Sequence, residues 1–293
     1  MNVATVNRSD ALTIQPLCWA LGVAISGIDL RLPIDDASMA RIKTAVHEYG
    51  VAVFHDQDLT PEQQIAFSRR FGPLESTYYN SALNHPNHPE IFRVTNIPIN
   101  GKPSESRTTG RMWHQDGSFL ETPTFGSILY CIEAPAVGGT TMFASLYRAH
   151  DALSDGLRAM LAPLQAMHEF AVIYKWGTSA RQVPSAEDMA KLPKYAHPIL
   201  RRHPVTGRMT LFVNQFLVDR IVGMTAAESA PILDYLFRHQ TQAAFTYRHA
   251  WRPKDLVFWD NQAVIHLAVP DFDSEHPERP GNRRLMHRTT VAG

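Results

Sequence analysis

Residues 111–119 read Arg111-Met112-Trp113-His114-Gln115-Asp116-Gly117-Ser118-Phe119, which places an imidazole and a carboxylate two residues apart. In an extended strand, side chains at i and i+2 point to the same face, so His114 and Asp116 could both reach one metal ion. A third ligand from elsewhere in the chain would complete a set of two histidines and one carboxylate. That set occupies one face of an octahedral Fe(II) and leaves the other positions open for oxygen chemistry. Because so short a motif also occurs by chance, it needs support from the rest of the sequence.

The composition is that of an ordinary globular protein. The chain has 293 residues, of which 44% are hydrophobic and 19% are charged, and this length is sufficient for a substantial core. Lys plus Arg and Asp plus Glu both number 28, so the basic excess typical of nucleic-acid binding is missing. The sequence has no apolar run near the roughly 20 residues of a membrane span and no signal-peptide pattern. We therefore expect neither nucleic acid nor a membrane as a partner.

Cysteine is scarce. Cys18 and Cys131 are the two cysteines of the chain, too few for a disulfide framework, so we expect a cytoplasmic protein. The same scarcity argues against a thiolate zinc site or an iron–sulfur cluster. Any metal site must therefore be built from histidines and carboxylates.

Periodicity and capping residues predict many short strands with a few helices. The predicted helices are Asp36 to Tyr49, Thr60 to about Arg70, Tyr147 to Leu164 with an interruption near Ser154, and Thr225 to about His239. Besides the His114 stretch, the predicted strands are one or two within 12–31, then 50–54, 127–132, 138–143, 209–213, 245–251, 255–259 and 284–290. With no internal repeat and no linker, we expect one domain over 1–293, mainly β with flanking helices, in the form of a barrel or sandwich.

Two segments, 76–110 and 175–196, are polar and irregular, and we expect them to be loops. Long loops beside a site often act as lids or determine specificity. His85 and His88 lie in the first of them. We interpret both as solvent-exposed loop histidines rather than a second metal site, because their neighbours are Asn and Pro instead of carboxylates.

Two further segments could contribute to a site near the motif. His266 lies in an apolar stretch after Trp259-Asp260-Asn261, and is either a hydrogen-bonded core histidine or the third metal ligand. In the last predicted strand, Arg284 and Arg288 share one face because side chains alternate along a strand. If that face points inward, each guanidinium needs an anion to offset its desolvation. If the strand lies at an edge, both arginines are simply exposed.

Several of these motifs together resemble the taurine/2,4-D dioxygenase family of Fe(II)- and 2-oxoglutarate-dependent oxygenases. The resemblance rests on Trp113-His114-x-Asp116, Gly138-Gly139-x-Thr141, Trp259-Asp260-Asn261 followed by His266, and Arg284-x-x-x-Arg288. The motifs occur in the family's order and span nearly the whole chain.

The resemblance implies a double-stranded β-helix (jelly roll) that holds Fe(II) through His114, Asp116 and His266 as the catalytic centre. It implies that 2-oxoglutarate chelates the iron and places its far carboxylate on Arg284 and Thr141, with O2 as the other co-substrate. It also implies that Arg288 lies near the primary substrate, and that the protein forms a homodimer or homotetramer.

Two departures from the family pattern bear on the substrate. Thr77 and Asn80 stand where the taurine enzymes have a histidine and a tyrosine, and Gly110 stands where they have an asparagine. We therefore expect a small organic acid that is larger or more apolar than taurine, of the sulfonate, alkyl sulfate or aryloxyalkanoate type, with Phe119 as an apolar wall. Two alternatives stay open here: a biosynthetic hydroxylase or desaturase of an amino-acid-derived acid, and an anion-binding jelly roll without turnover.

Overall fold

A computed structural model describes residue 7 and residues 11–75, 81–176 and 183–293. Its strands are β1 (Thr13–Pro16), β2 (Val23–Ser26), β3 (Val51–Phe54), β4 (Asn84–His85), β5 (His88–Thr95), β6 (Gly126–Glu133), β7 (Thr141–Ser145), β8 (Gln165–Glu169), β9 (Lys194–Pro198), β10 (Leu200–Arg202), β11 (Met209–Leu211), β12 (Val218–Ile221), β13 (Thr246–His249), β14 (Leu256–Asp260), β15 (Val264–Ala268) and β16 (Leu285–Val291). Its α-helices are α1 (Asp36–Tyr49), α2 (Pro61–Arg69), α3 (Leu146–Asp151), α4 (Asp155–Leu161), α5 (Ala186–Ala190) and α6 (Ala226–Gln240). Short 3-10 turns cover Ser81–Leu83, Glu105–Thr108, Phe170–Trp176 and Ala243–Phe245.

The predicted helices are confirmed, and each begins at the capping residue that the sequence offers. Thr60 and Thr225 form capping boxes with Gln63 and Glu228, which satisfies the first free backbone N–H groups of α2 and α6. The predicted interruption after α3 is real, since Ser154 caps a new helix, α4.

Two sheets face each other across the interior. The larger sheet has the strand order β1-β2-β3-β14-β6-β16-β5-β4, and the smaller one has the order β13-β7-β15. The core between them contains Val53, Leu129, Phe143, Trp259 and Met286. The other face of the larger sheet is covered by α1 and α2, so its central strands are buried on both sides and consist of continuous apolar runs.

Three local predictions were wrong. The segment predicted as a loop at 76–110 contains β4 and β5, and β5 pairs with β16. The second predicted loop contains α5 and the start of β9. His114 does not lie in a strand but in an irregular segment, where it makes an isolated bridge to His266. Residues 76–80 and 177–182 lie outside the described residues.

The mainly β class with flanking helices is confirmed by the described chain. None of the helices that the structure describes is long and apolar enough to cross a membrane.

Candidate active site

His114 and His266 are brought together by a short antiparallel bridge. The backbone N–H of His114 donates to the carbonyl of His266 at 3.0 Å, and the reciprocal bond measures 2.8 Å. The two rings lie 4.0 Å apart between centroids. Asp116 completes the group, since its carboxylate lies 3.9 Å from Nε2 of each histidine. The ligand atoms of the three side chains lie within 4.8 Å of one another, as one metal ion requires.

Backbone and neighbouring side chains fix the orientation of this group. The Nδ1 of His114 bonds the carbonyl of Met112 at 2.7 Å, which leaves Nε2 facing Asp116. The Asp116 carboxylate accepts a hydrogen bond from the Ser127 hydroxyl at 2.6 Å, and its backbone N–H donates to Asn261 Oδ1 at 3.2 Å. Gly110 has a φ of 78°, and a Cβ there would come 3.3 Å from His114 Cε1. Glycine therefore keeps that side of the imidazole uncrowded.

The electrostatics of the three groups suit a divalent metal ion. Burial lowers the pKa of both His114 and His266, so both imidazoles are neutral and can act as ligands. Burial alone would raise the pKa of Asp116, but Arg288, the two imidazoles and Ser127 together hold it below its usual range. Two neutral nitrogens and one ionised carboxylate are the donor set that non-haem Fe(II) prefers. The residues present therefore fit the metal that the sequence predicts.

Arg284 and Thr141 are both buried in the interior. Arg284 is 8% exposed, and its guanidinium donates no hydrogen bond to any described residue. Burial lowers its pKa to about 10, so it remains charged at neutral pH. The Thr141 hydroxyl accepts a hydrogen bond from Trp251 Nε1 at 2.9 Å, which leaves its own proton free to donate. Both residues are suited to a carboxylate ligand.

Arg288 makes a contact that the sequence did not predict. It already has an anionic neighbour, because its NH1 donates to Asp116 Oδ1 at 3.2 Å. Its Nε is buried and bonds none of the residues that the structure describes, and its guanidinium lies 5.0 Å from the centroid of the Phe92 ring. Asp116 therefore supplies the anion that an inward-facing Arg288 needs, while the Nε donor has no partner among the described residues.

Phe119 lies in an apolar cluster near the triad. It packs with Ile173 and Leu217, and its ring stands edge-on to Phe170 at 5.1 Å. Phe216 borders the same cluster and lies 5.6 Å from the His114 ring. Phe119, Phe170 and Phe216 therefore form an aromatic wall that extends to His114.

A second histidine–aspartate group lies elsewhere in the interior. Asp260 Oδ2 lies 3.0 Å from His47 Nδ1 and 2.9 Å from His203 Nε2. His203 Nδ1 accepts from the backbone N–H groups of Val205 and Thr206, so the proton of the neutral ring is on Nε2. A protonated Nε2 donates to Asp260 and cannot ligate a metal, so we assign this group to hydrogen bonding.

His85 and His88 belong to neither histidine–aspartate group found among the described residues. We expected both to be solvent-exposed, but both are half-buried. Their rings lie 4.8 Å apart across the β4–β5 hairpin. His88 pairs with Glu62 at 3.1 Å, a carboxylate that is distant in sequence.

Three further residues lie at the site without having been predicted there. Ser127 and Asn261 contact Asp116, and the half-buried Glu75 lies close enough to Asp116 for their charges to interact. Burial raises the pKa of Glu75, whose carboxylate accepts from the Thr124 hydroxyl at 3.1 Å. Asn261 stood in a recognised motif, but no spacing rule connects Ser127 or Glu75 to Asp116.

Comparison with known proteins identifies the family. The family described as taurine catabolism dioxygenase TauD, TfdA family, matches residues 13–290, and the chain belongs to it. The protein is thus an alpha-ketoglutarate-dependent dioxygenase, an oxidoreductase that uses Fe(II), 2-oxoglutarate and O2. The enzyme interpretation is confirmed over that of a binding protein without turnover.

Individual relatives match along nearly the full chain. The (S)-phenoxypropionate/alpha-ketoglutarate-dioxygenase of Sphingobium herbicidovorans is 32% identical over 97% of this chain and 96% of its own. The alpha-ketoglutarate-dependent 2,4-dichlorophenoxyacetate dioxygenase of Cupriavidus pinatubonensis is 31% identical over 87% of this chain and 91% of its own. The crystal structure of AAD-2 in complex with Mn(II) and N-oxalylglycine superposes with a TM-score of 0.83 at 30% identity, covering 96% of this chain and 97% of that one.

Proposed function

We propose that this enzyme hydroxylates an organic acid with a large apolar body, of the aryloxyalkanoate type. The observation that carries the proposal is the aromatic wall of Phe119, Phe170 and Phe216 beside the His114–Asp116–His266 triad, with Arg288 next to it. When bound, Fe(II), 2-oxoglutarate and O2 supply an oxidative decarboxylation to succinate and CO2, coupled to insertion of one oxygen atom into a substrate C–H bond. The protein's own residues bind, orient and exclude water.

In this proposal His114, Asp116 and His266 hold the metal and are the catalytic centre. The two neutral imidazoles and the ionised carboxylate neutralise one of the two positive charges. Their one-sided arrangement leaves the remaining positions for co-substrates. Burial of the two imidazoles keeps water away from the reacting atoms.

Arg284 and Thr141 would bind the far carboxylate of 2-oxoglutarate. A buried guanidinium without a partner is costly, and a carboxylate ligand offsets that cost through charge-assisted hydrogen bonds. The free proton of Thr141 supplies one further donor. The carboxylate of the co-substrate would thereby accept hydrogen bonds from the free donors of Arg284 and Thr141.

Arg288 would bind the acidic group of the primary substrate. Its unsatisfied Nε is a donor for that anion, while the aromatic cluster would cover an aryl ring. The names of two relatives, a phenoxypropionate and a dichlorophenoxyacetate dioxygenase, support this substrate type. Thr77 and Asn80, the departures from the taurine pattern, lie outside the described residues.

Four broader features belong to the same proposal. The two facing sheets support a double-stranded β-helix (jelly roll), and the core between them, built from segments of both halves of the chain, supports one domain over 1–293. A homodimer or homotetramer and a cytoplasmic location stay predictions from the family resemblance and the cysteine count.

The substrate type is tested by a turnover screen. We expect phenoxyacetate and 2-phenoxypropionate to stimulate succinate formation more, by kcat/KM, than taurine or an alkyl sulfate does. Hydroxylation of the carbon that bears the ether oxygen gives a hemiacetal, which collapses to a phenol and a carbonyl compound. Phenol and succinate should therefore appear in equal amounts when Fe(II), ascorbate, 2-oxoglutarate and O2 are supplied.

Arg288→Ala gives the matched test of anion binding. It should raise KM for the acid much more than for phenoxyethanol, the neutral analogue, whereas Arg283→Ala should change neither, because Arg283 is exposed and pairs with Glu133. A best substrate that is neutral, together with a silent Arg288→Ala, would refute the assignment of Arg288.

A further inference from the structure

We propose that Ser127 and the turn Trp259-Asp260-Asn261 position two of the three metal ligands. The inference rests on the proposed metal site and assigns Ser127, Asn261 and Trp259 the role of positioning residues. None of the three would contact substrate or metal. Their effect would be to fix the Asp116 carboxylate and the His266 ring before the metal binds.

Besides its bond from Arg288, Asp116 is held at two points that converge on Asn261. Asn261 Oδ1 accepts from the Asp116 backbone N–H at 3.2 Å, and its Nδ2 donates to Ser127 Oγ at 3.2 Å. The Ser127 hydroxyl then donates to Asp116 Oδ2 at 2.6 Å. These bonds form a closed ring of three residues, 0–1% exposed at Ser127 and Asn261, so the carboxylate has one orientation.

His266 is held differently, because no described residue bonds its ring. Its Nδ1 is buried without a partner in the described part of the chain, unlike His114 Nδ1, which bonds a carbonyl. The Trp259 indole lies against it, with ring centroids 4.7 Å apart. Trp259 Nε1 in turn donates to Asn261 Oδ1 at 3.0 Å. Packing against Trp259 therefore replaces the second hydrogen bond that metal-ligating histidines usually make.

Asp260 anchors the backbone segment that carries Trp259 and Asn261. Its Oδ2 bonds His47 and His203, while its Oδ1 accepts from the backbone N–H of Gln262 at 2.9 Å. The buried histidine–aspartate group thus fixes the backbone on either side of Asn261. Asn261 is consequently the point where the supports of Asp116 and His266 meet.

The test measures Mn(II) affinity by titration calorimetry on the chelator-treated full-length protein. Ser127→Ala and Asn261→Ala should each weaken Mn(II) binding by roughly 10–100-fold, with the larger loss in Asn261→Ala because it releases both supports. Ser68→Ala is the matched control. Ser68 is an equally buried serine that bonds Gln64 and Thr289 away from the metal, so its variant should bind Mn(II) as the wild type does.

The outcomes separate this proposal from the metal assignment itself. If Asp116→Ala leaves Mn(II) affinity unchanged, the proposed metal site is wrong. If Asp116→Ala abolishes binding but Ser127→Ala and Asn261→Ala bind Mn(II) within twofold of Ser68→Ala, the positioning role is refuted. Near-UV circular dichroism of each metal-free variant verifies folding. Should Asn261→Ala not fold, Ser127→Ala alone decides the outcome.

Discussion

Asp116 illustrates how single residues set the chemistry of the site. Both of its carboxylate oxygens accept a hydrogen bond, one from Ser127 and the other from Arg288. These contacts and the nearby imidazoles outweigh burial, which by itself would raise the pKa of Asp116. The carboxylate is therefore ionised at neutral pH, where metal binding would need no proton release from it.

Arg284→Leu should separate co-substrate binding from metal binding. The guanidinium has no other hydrogen-bond partner in the described chain, so its loss deprives the 2-oxoglutarate carboxylate of its charge partner. A cost of roughly 3–5 kcal/mol corresponds to a rise of about two to four orders of magnitude in KM for 2-oxoglutarate. Mn(II) affinity should not change.

Arg283→Leu is the neighbouring control for this experiment. Because Arg283 is solvent-exposed, its replacement should leave the KM for 2-oxoglutarate unchanged. Removal of an unpaired buried charge should also raise the Tm of the Arg284→Leu protein without ligands. An unchanged KM for 2-oxoglutarate would show that the carboxylate is bound elsewhere.

At the scale of elements, the irregular segment before His114 depends on Gly110. Gly110→Ala should weaken Mn(II) binding, because a Cβ would crowd His114 Cε1 at 3.3 Å, and should also cost roughly 1–3 kcal/mol of stability through its φ of 78°. The measurements are Mn(II) titration calorimetry and chemical denaturation of the metal-free protein.

Gly101→Ala separates crowding from backbone strain. Gly101 has a similar φ of 73°, but a Cβ there meets nothing within 4 Å. The Gly101→Ala variant should lose about as much free energy of unfolding as Gly110→Ala and keep its Mn(II) affinity. Equal Mn(II) affinities in the two variants would mean that Gly110 does not shape the metal site.

The elements that the sequence predicted well are those determined by local signals. Thr60 and Thr225 place hydroxyl caps three residues before Gln63 and Glu228, so helix starts could be read directly. β5 was missed because it begins His88-Pro89-Glu90, and its strand conformation depends on pairing with β16, far along the chain. Non-local pairing leaves no periodic signal when the strand is mixed in polarity.

In the candidate site, too, some residues could be predicted from local sequence and others only from the folded chain. His114, Asp116 and His266 were identified, yet the reason given for the first two was wrong, since an irregular segment bridged to His266 brings them together instead of a strand. Ser127 and Glu75 carry no local pattern that points to Asp116. Their proximity arises from the packing of β6 and of the segment after α2, which only the folded chain reveals.

At the scale of the whole molecule, the site depends on how the two sheets pack. β16 of the larger sheet carries Arg288, while β15 of the smaller sheet carries His266. The residues proposed to bind metal and substrate therefore come from both layers. A loss of sheet packing should abolish all of them together.

Buried histidines make the stability of the whole molecule depend on pH. Burial lowers the pKa of His168 to about 3 and that of His287 to about 4. An unfolded histidine takes up its proton near pH 6.5, so between that pH and about 4 the unfolded chain binds protons that the folded chain does not. Stability is thus fully present above pH 6.5 and falls as the pH falls. Glu75, whose pKa is raised by burial, acts in the opposite direction and offsets part of this loss.

We expect the free energy of unfolding of the metal-free protein to fall by roughly 2 kcal/mol for each such histidine between pH 7 and pH 5. The measurement is urea denaturation at the two pH values. His287→Asn removes one contributor, so its stability should fall by roughly 2 kcal/mol less than that of the wild type over this interval. His276→Asn is the control, because the His276 side chain is 47% exposed and should show the wild-type loss. Identical losses in His287→Asn and His276→Asn would contradict the assignment, since a neutral, buried His287 would then contribute nothing to the pH dependence of folding.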